Sequence, residues 1–233
     1  MQKVLNEFQK NIIMTIIFCA YRDWALDIYK KLSKKYKKII LVTTPKQLSL
    51  NYVKKINPNF IFFPDWSWKV PESIIDNYNC VCFHESPLPK FRGGSPIQNQ
   101  IIRGIKKTKT TAFLMNNKID AGDILLQKAL SLEGELNDIF LRMIKNDYMM
   151  IQQIIQGKYT QRKQKGRSSY FKRRTPKESE LKSLNHSEKY IYDFIRMLSD
   201  PYPNAFIKIG KSKITFKSAR FEGNNLKVEG EIN

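Results

Sequence analysis

The residues best suited to chemistry are concentrated in one stretch and one short follower. The stretch is Cys82-Phe83-His84-Glu85-Ser86-Pro87-Leu88-Pro89-Lys90-Phe91-Arg92-Gly93-Gly94-Ser95-Pro96, and the follower is Ile119-Asp120-Ala121-Gly122-Asp123. The apolar run from Cys80 to Phe83 reads as a buried strand, and the Pro- and Gly-rich segment after it must leave that strand as a loop. His84 therefore falls at a strand-to-loop junction. Open α/β sheets hold ligands in the crevice beyond the carboxyl ends of their strands, and an imidazole titrates near neutrality, so His84 is placed for proton transfer. A capping or hydrogen-bonded structural histidine is the competing reading.

With a period of two, Cys80, Cys82 and His84 share one face of that strand. Soft ligands at this spacing invite a metal, but the chain has no fourth cysteine, and its other histidine, His186, is remote in sequence. No metal is expected.

The elements that must position these groups follow from the apolar pattern. A β-branched run from Ile12 to Ala20 predicts a strand, and Trp24, Ala25, Ile28, Tyr29 and Leu32 recur at helical spacing. A strand at 39–43, a helix from about Pro45 to Ile56 and a strand at 60–63 continue the alternation, and a helix starting near Glu72 leads into Cys80. Strands alternating with helices imply an α/β fold: a Rossmann-like open, mostly parallel sheet with helices on both faces. The first turn, Cys19 to Asp23, contains no glycine, which argues against a dinucleotide. Trp66 and Trp68, at the carboxyl end of the third strand, could floor a flat heterocycle or fill core.

Pro96 opens a helix with Ile97, Ile101 and Ile105 on one face. Strands are expected at 110–115 and 124–132, and a long helix between Gly134 and Gly157. Residues 158–177 are rich in Lys, Arg, Gln and Ser and mark a boundary or linker. Beyond them, Ser187 caps a helix with Ile191, Phe194, Ile195 and Leu198 on one face, and a hairpin follows around Gly210-Lys211. The organisation expected is a first domain over 12–160, with 161–233 forming a linker and a small α+β helix-plus-hairpin unit; residues 1–11 read as a polar arm.

The chain has 233 residues, enough for a full core and a smaller second unit. Its early apolar run is too short to span a bilayer, so no membrane partner is expected. Three cysteines without framework spacing fit a reducing cytoplasm. A formal charge of +20 favours polyanionic partners, though lysines spread along the chain can also form a solvated surface.

The run from His84 to Gly94 with Pro96, followed by Asp120-Ala121-Gly122-Asp123-Ile124-Leu125, resembles the folate-dependent formyltransferases. The resemblance covers roughly residues 12 to 160. A second match, Tyr170 to Ser179 with Asp200-Pro201-Tyr202-Pro203-Asn204-Ala205-Phe206, is most similar to the members that act on nucleotide-linked amino sugars. The tRNA-directed members share the Pro-x-Pro-x-Ala part and normally continue into a larger carboxyl-terminal barrel, whereas only about thirty residues follow Pro203 here.

The resemblance implies transfer of a formyl group from 10-formyltetrahydrofolate to the amine of a nucleotide-linked sugar, with methionyl-tRNA, or a silent binding protein on the same fold, as alternatives. A homodimer is left open. His84 and Asp120 take the catalytic roles: the imidazole moves the proton, and the carboxylate holds its charge or orders a water. Trp66, Ser67, Trp68, Asn116, Ile119 and Asp123 fall to the folate side, and Arg92, Gly93 and Tyr202 to the acceptor side. The family carries an Asn amide, donating to the developing oxyanion, where this chain has Cys82. A thiol is a weak donor, and losing one such donor costs about 2.7–4 kcal/mol. A backbone N–H, Gln98 or Asn99 is the expected substitute.

Overall fold

Four short β-branched and aromatic runs, Ile16–Cys19 (β1), Ile39–Val42 (β2), Phe60–Phe63 (β3) and Cys80–His84 (β4), build the centre of the fold. The protein is described by a computed structural model over residues 14–233; the expected arm at 1–11 and the start of the first strand at Ile12 lie outside the described residues. β1 pairs in parallel with β2 and with β3, and β3 in parallel with β4. Lys107–Leu114 (β6) pairs antiparallel with β4, and Ile124–Ser131 (β7) completes a six-stranded sheet of order β2-β1-β3-β4-β6-β7.

All four residues of β1 are fully buried, which a strand achieves only when both faces of its sheet are covered. Ile17 and Cys19, with Ile61 and Phe63 of β3, pack against Val53 of helix α2 (Leu50–Ile56) and Ile74 of α3 (Glu72–Ile75). Phe18 points the other way, 5.9 Å between ring centres from Tyr29 of α1 (Asp23–Ser33). The apolar positions of α1, Trp24, Ala25, Ile28 and Leu32, are its buried face, with Asp23 in the first turn and Lys30 and Lys31 in the last, as the helix dipole favours. Each fully buried aliphatic or aromatic side chain here is worth about 1.5–3 kcal/mol.

The helix expected over 45–56 is two pieces. Pro45–Gln47 is a 3-10 turn, and α2 restarts at Ser49, whose hydroxyl accepts from the Tyr52 N–H at 3.2 Å. The helix at Pro96, α4, ends at Ile101, so Ile105 falls outside it. The long helix is α5, Leu136–Ile155.

The basic segment after α5 is not a free linker. Ile124 and Arg162 exchange backbone hydrogen bonds of 2.8 and 2.9 Å, and Tyr170–Phe171 (β8) pairs in parallel with Arg92–Gly93 (β5). That pairing explains the two glycines of the motif. A Cβ on Gly93 would stand 2.3 Å from the Phe171 oxygen, and one on Gly94 would stand 2.3 Å from the Arg173 Cα.

Beyond it, α6 (Glu188–Arg196) is capped by Ser187, as expected. The expected hairpin, Phe206–Ile209 (β9) and Ser212–Glu222 (β10), gains a third strand, Asn225–Ile232 (β11), in an antiparallel sheet of order β11-β10-β9. The described residues fall into two compact units that interleave along the chain. Residues up to 84, 111–126 and 144–164 form the first, and residues 85–110, 127–143 and 165–233 the second. No helix among the described residues is long and apolar enough to cross a membrane.

Candidate functional site

Strand β4 delivers His84 at its last position, buried at 7% exposure. The Asp120 carboxylate approaches it from the turn between β6 and β7, with Oδ2 3.8 Å from His84 Nδ1. That distance is within ion-pairing range and slightly beyond a direct hydrogen bond, a common state for a catalytic pair before its ligand is bound. In this geometry the imidazole can exchange a proton with a ligand beside the carboxylate.

The turn that carries Asp120 is held at several points. Asp120 sits at φ 49°, a left-handed conformation that Asp and Asn tolerate better than most residues. Gln164 donates from Nε2 to the oxygens of Asp120 and Gly122, both at 2.8 Å, and Gln161 donates to Asp123 Oδ2 at 2.9 Å. The Leu114 N–H donates to the Asp123 oxygen at 2.9 Å, which draws the turn against β6. A Cβ on Gly122 would lie 1.6 Å from the Leu114 oxygen. Replacing Gly122 by Ala is therefore expected to push the turn off β6, at a cost of about 1–3 kcal/mol. Thermal unfolding would show this, and so would a loss of whatever activity depends on Asp120.

Neither glutamine was legible as a site residue. They lie about forty positions from their partners, inside a stretch whose composition reads as solvent-facing. Asp123 is thus engaged by Gln161, and Asn116 accepts the Lys118 N–H at 3.0 Å, closing the turn in which Ile119 is 68% exposed.

At the carboxyl end of β3, the neighbour of β4, the aromatic pair divides its labour. Trp66 packs against the core with its ring 6.0 Å from Phe63, and its buried Nε1 has no hydrogen-bond partner among the described residues. Trp68 is 39% exposed, edge-on to Trp66 at 4.8 Å and against Tyr21 at 4.6 Å. The two indoles form a corner and not a parallel floor. Ser67 shares a 2.6 Å hydrogen bond with the Tyr21 hydroxyl, and Arg22 Nε reaches Asp65 Oδ2 at 3.0 Å. Tyr21 and Arg22, on the exit of β1, were not singled out by their spacing.

Cys82 is half-buried beside the core; its thiol lies 3.7 Å from the Phe83 oxygen. Cys19 and Cys80 are buried and belong to that core. Burial pushes the Cys80 thiol up to about 12 and raises that of Cys19 well above its ordinary value, the latter with a smaller push from Cys80. An unfolded thiol ionises first, so this contribution is complete below pH 9 and is lost as pH rises toward 12. Stability is expected to fall by about 1.4 kcal/mol per pH unit per thiol in that window. Urea titrations of the wild type and Cys80→Ala across it should differ in slope by that amount. Among the described residues no group of three or more His, Cys, Asp or Glu could hold a metal ion.

The remaining expected residues belong to the second unit. The Arg92 guanidinium donates to the Tyr170 hydroxyl at 2.6 Å, Gly93 lies in the β5 pairing, and Tyr202 packs 6.3 Å from Phe140. Of the two side chains considered as substitutes for an amide at 82, Asn99 donates from Nδ2 to the Gly94 and Ser95 oxygens, both at 3.1 Å, so its donors are taken. The buried Nε2 of Gln98 has no partner among the described residues.

Two family models match the chain: "Formyl transferase" over residues 28–138, and "Methionyl-tRNA formyltransferase, C-terminal domain" over 176–233. A solved structure, methionyl-tRNA formyltransferase from Clostridium thermocellum, is 39% identical with a TM-score of 0.89, and the match covers 94% of this chain and 99% of that one. A curated methionyl-tRNA formyltransferase from Syntrophomonas wolfei is 28% identical over 198 residues, covering 79% of this chain and 62% of the relative's length. A likely sugar N-formyltransferase from Mycobacterium tuberculosis shares the fold, with a TM-score of 0.75 at 16% identity, over 90% of this chain and 99% of that one. Identity of 39% across almost the whole of the Clostridium thermocellum chain decides the kinship: this chain belongs to the formyltransferase family.

Proposed function

We propose that the chain transfers a formyl group from 10-formyltetrahydrofolate to the α-amino group of methionyl-tRNA. The observation that carries this reading is the 39% identity to a methionyl-tRNA formyltransferase of nearly the same length, 99% of which is covered. That match removes the main argument for a sugar acceptor, the short carboxyl end, and the match of 176–233 to the tRNA enzymes' C-terminal domain adds to it. A charge of +20 suits an acceptor whose backbone is polyanionic.

The chain's residues suit the formyl donor. The exposed face of Trp68 offers a stacking surface to a flat heterocycle, at the carboxyl end of the strand next to β4. The donor supplies a formyl carbon activated by its bond to the folate nitrogen. His84 removes the proton from the attacking amine as the new N–C bond forms, and returns a proton to the folate nitrogen as the old bond breaks. Asp120 holds the imidazole's charge between those events, and Gln164 holds Asp120. Cys82 leaves the developing negative charge on the formyl oxygen without the usual amide. Cys82→Asn is accordingly expected to keep the transfer rate or raise it, measured as kcat at saturating donor.

A second reading, transfer to a nucleotide-linked amino sugar, is favoured by the second motif, Tyr170 to Ser179 with Asp200 to Phe206. Steady-state assays with charged initiator tRNA at several salt concentrations test the choice. The tRNA reading expects formylmethionyl-tRNA as product, with kcat/KM falling steeply as salt rises, since phosphate contacts release counterions. Turnover confined to nucleotide amino sugars would overturn it, and donor binding without turnover on either acceptor would favour a silent binding protein.

A further inference from the structure

One short turn carries two carboxylates, and the structure treats them differently. Asp120 is turned to His84, with Oδ2 3.8 Å from Nδ1, whereas Asp123 accepts at Oδ2 from Gln161 Nε2 at 2.9 Å. The turn lies between β6 and β7, and neither strand reaches Asp120. Asp120 also sits at φ 49°, a conformation that a non-glycine residue keeps only where its surroundings impose it.

Local bonds close the turn but leave its middle to a distant residue. The Leu114 N–H donates to the Asp123 oxygen at 2.9 Å, and the Ala121 N–H to the Lys118 oxygen at 3.3 Å. The Asp120 and Gly122 oxygens both accept from one atom, Gln164 Nε2, at 2.8 Å each. A primary amide nitrogen carries two hydrogens, so one side chain commits its whole donor capacity to two peptide planes. The plane that follows Asp120 sets its ψ, and ψ with φ sets the direction in which Cβ and the carboxylate leave the backbone.

Gln164 is itself held in register with the turn. Two residues before it, Arg162 exchanges backbone bonds of 2.8 and 2.9 Å with Ile124, the residue that follows Asp123. The segment can therefore neither slide along the turn nor lift from it without breaking that pair. All these residues, with His84, belong to the first compact unit.

On the reading of His84 and Asp120 as the proton-transfer pair, on which this inference rests, we propose that Gln164 is a positioning residue for the transfer reaction. By holding the Asp120 and Gly122 oxygens it aims the Asp120 carboxylate at His84, while Gln161 engages the second carboxylate, Asp123. The role requires an amide at 164, and not merely a side chain of that size. Glutamate has nearly the same shape, but its ionised carboxylate only accepts, so it would set a charge against two carbonyl oxygens. A glutamine with a structural role alone would lower the unfolding midpoint when removed and leave kcat of the folded molecules unchanged.

Kinetics and crystallography on the full chain test this. Gln164→Ala is expected to lower kcat about 10- to 100-fold, the weight of a small misplacement at a reacting group, with KM for 10-formyltetrahydrofolate changed less than about threefold. Gln164→Glu should lose at least as much. In an Asp120→Asn background, Gln164→Ala should change kcat by less than about threefold, because the charge it aims is already gone. In crystals of Gln164→Ala the Asp120 carboxylate should stand about 1 Å or more further from His84 Nδ1 than in the wild type. Should Gln164→Ala fail to fold by circular dichroism, Gln164→Glu carries the same comparisons. Wild-type kcat in the folded single variant, losses that multiply in the double variant, or an unmoved carboxylate in the crystal would each overturn the proposal. The crystal comparison needs no turnover, so a wild type silent on every acceptor would overturn the transfer reading alone and leave the position of Asp120 to decide the role of Gln164.

Discussion

Replacing His84 by alanine is expected to lower kcat for formyl transfer by about 10²–10⁴-fold, the usual weight of a positioned acid–base group. The reason is the coincidence of three features at one atom. His84 is buried at the end of a central strand, its Nδ1 faces a carboxylate at 3.8 Å, and the aromatic corner of Trp66 and Trp68 belongs to the adjacent strand β3. The loss should fall on kcat, with donor binding largely kept, if the exposed indole of Trp68 and not the imidazole stacks on the donor, as proposed. Asp120→Asn keeps the size of the side chain and removes its charge, so it should lower kcat while leaving the unfolding midpoint nearly unchanged. Steady-state kinetics and a donor-binding titration on both variants would check this. Equal kcat in wild type and His84→Ala would remove His84 from the chemistry.

The largest expected effect on stability lies elsewhere, at Arg196. Its guanidinium and the Asp193 carboxylate are both about 95% buried, 2.7 Å apart, and Arg196 also donates to the Leu132 and Gly134 oxygens at 2.8 Å. Lys189 adds a second cation to Asp193 from the solvent side. Removing one partner of a buried, hydrogen-bonded pair leaves the other desolvated without compensation. Arg196→Ala is therefore expected to cost about 3–5 kcal/mol, or roughly 6–20 °C in Tm for a chain of this size. Arg220→Ala, on the exposed face of β10, breaks two solvent-screened ion pairs and should leave the unfolding midpoint nearly unchanged. Calorimetry on the two variants would separate these cases, and comparable losses would contradict the burial argument.

Much of the centre is legible in the sequence, for a physical reason. Strands buried on both faces are continuous β-branched and aromatic runs, so 60–63 and 80–84 could be placed directly, and the Pro- and Gly-rich exit put His84 at the carboxyl end of β4. What escaped the sequence was held by partners far along the chain. The tether of 158–174 depends on Arg92, Gly93 and Ile124, and a basic segment reads the same whether it is tethered or free. β11 was missed because half of its residues are charged or glycine and its apolar ones are mostly exposed. Asn99 looked available as a donor only because its bonds to Gly94 and Ser95 are formed by the cap of α4. The choice of acceptor moved for a different reason: few residues follow Pro203, and a tRNA-directed relative of almost the same length is what changed its meaning.

The most direct measurement is a competition. The full chain would be given 10-formyltetrahydrofolate labelled at the formyl carbon, with methionyl-tRNA and a panel of nucleotide-linked amino sugars present together, and the labelled product identified. Label is expected on the methionyl amine and is expected to be lost with His84→Ala. Label on a sugar, or label on methionyl-tRNA at the same rate with His84→Ala, would contradict it.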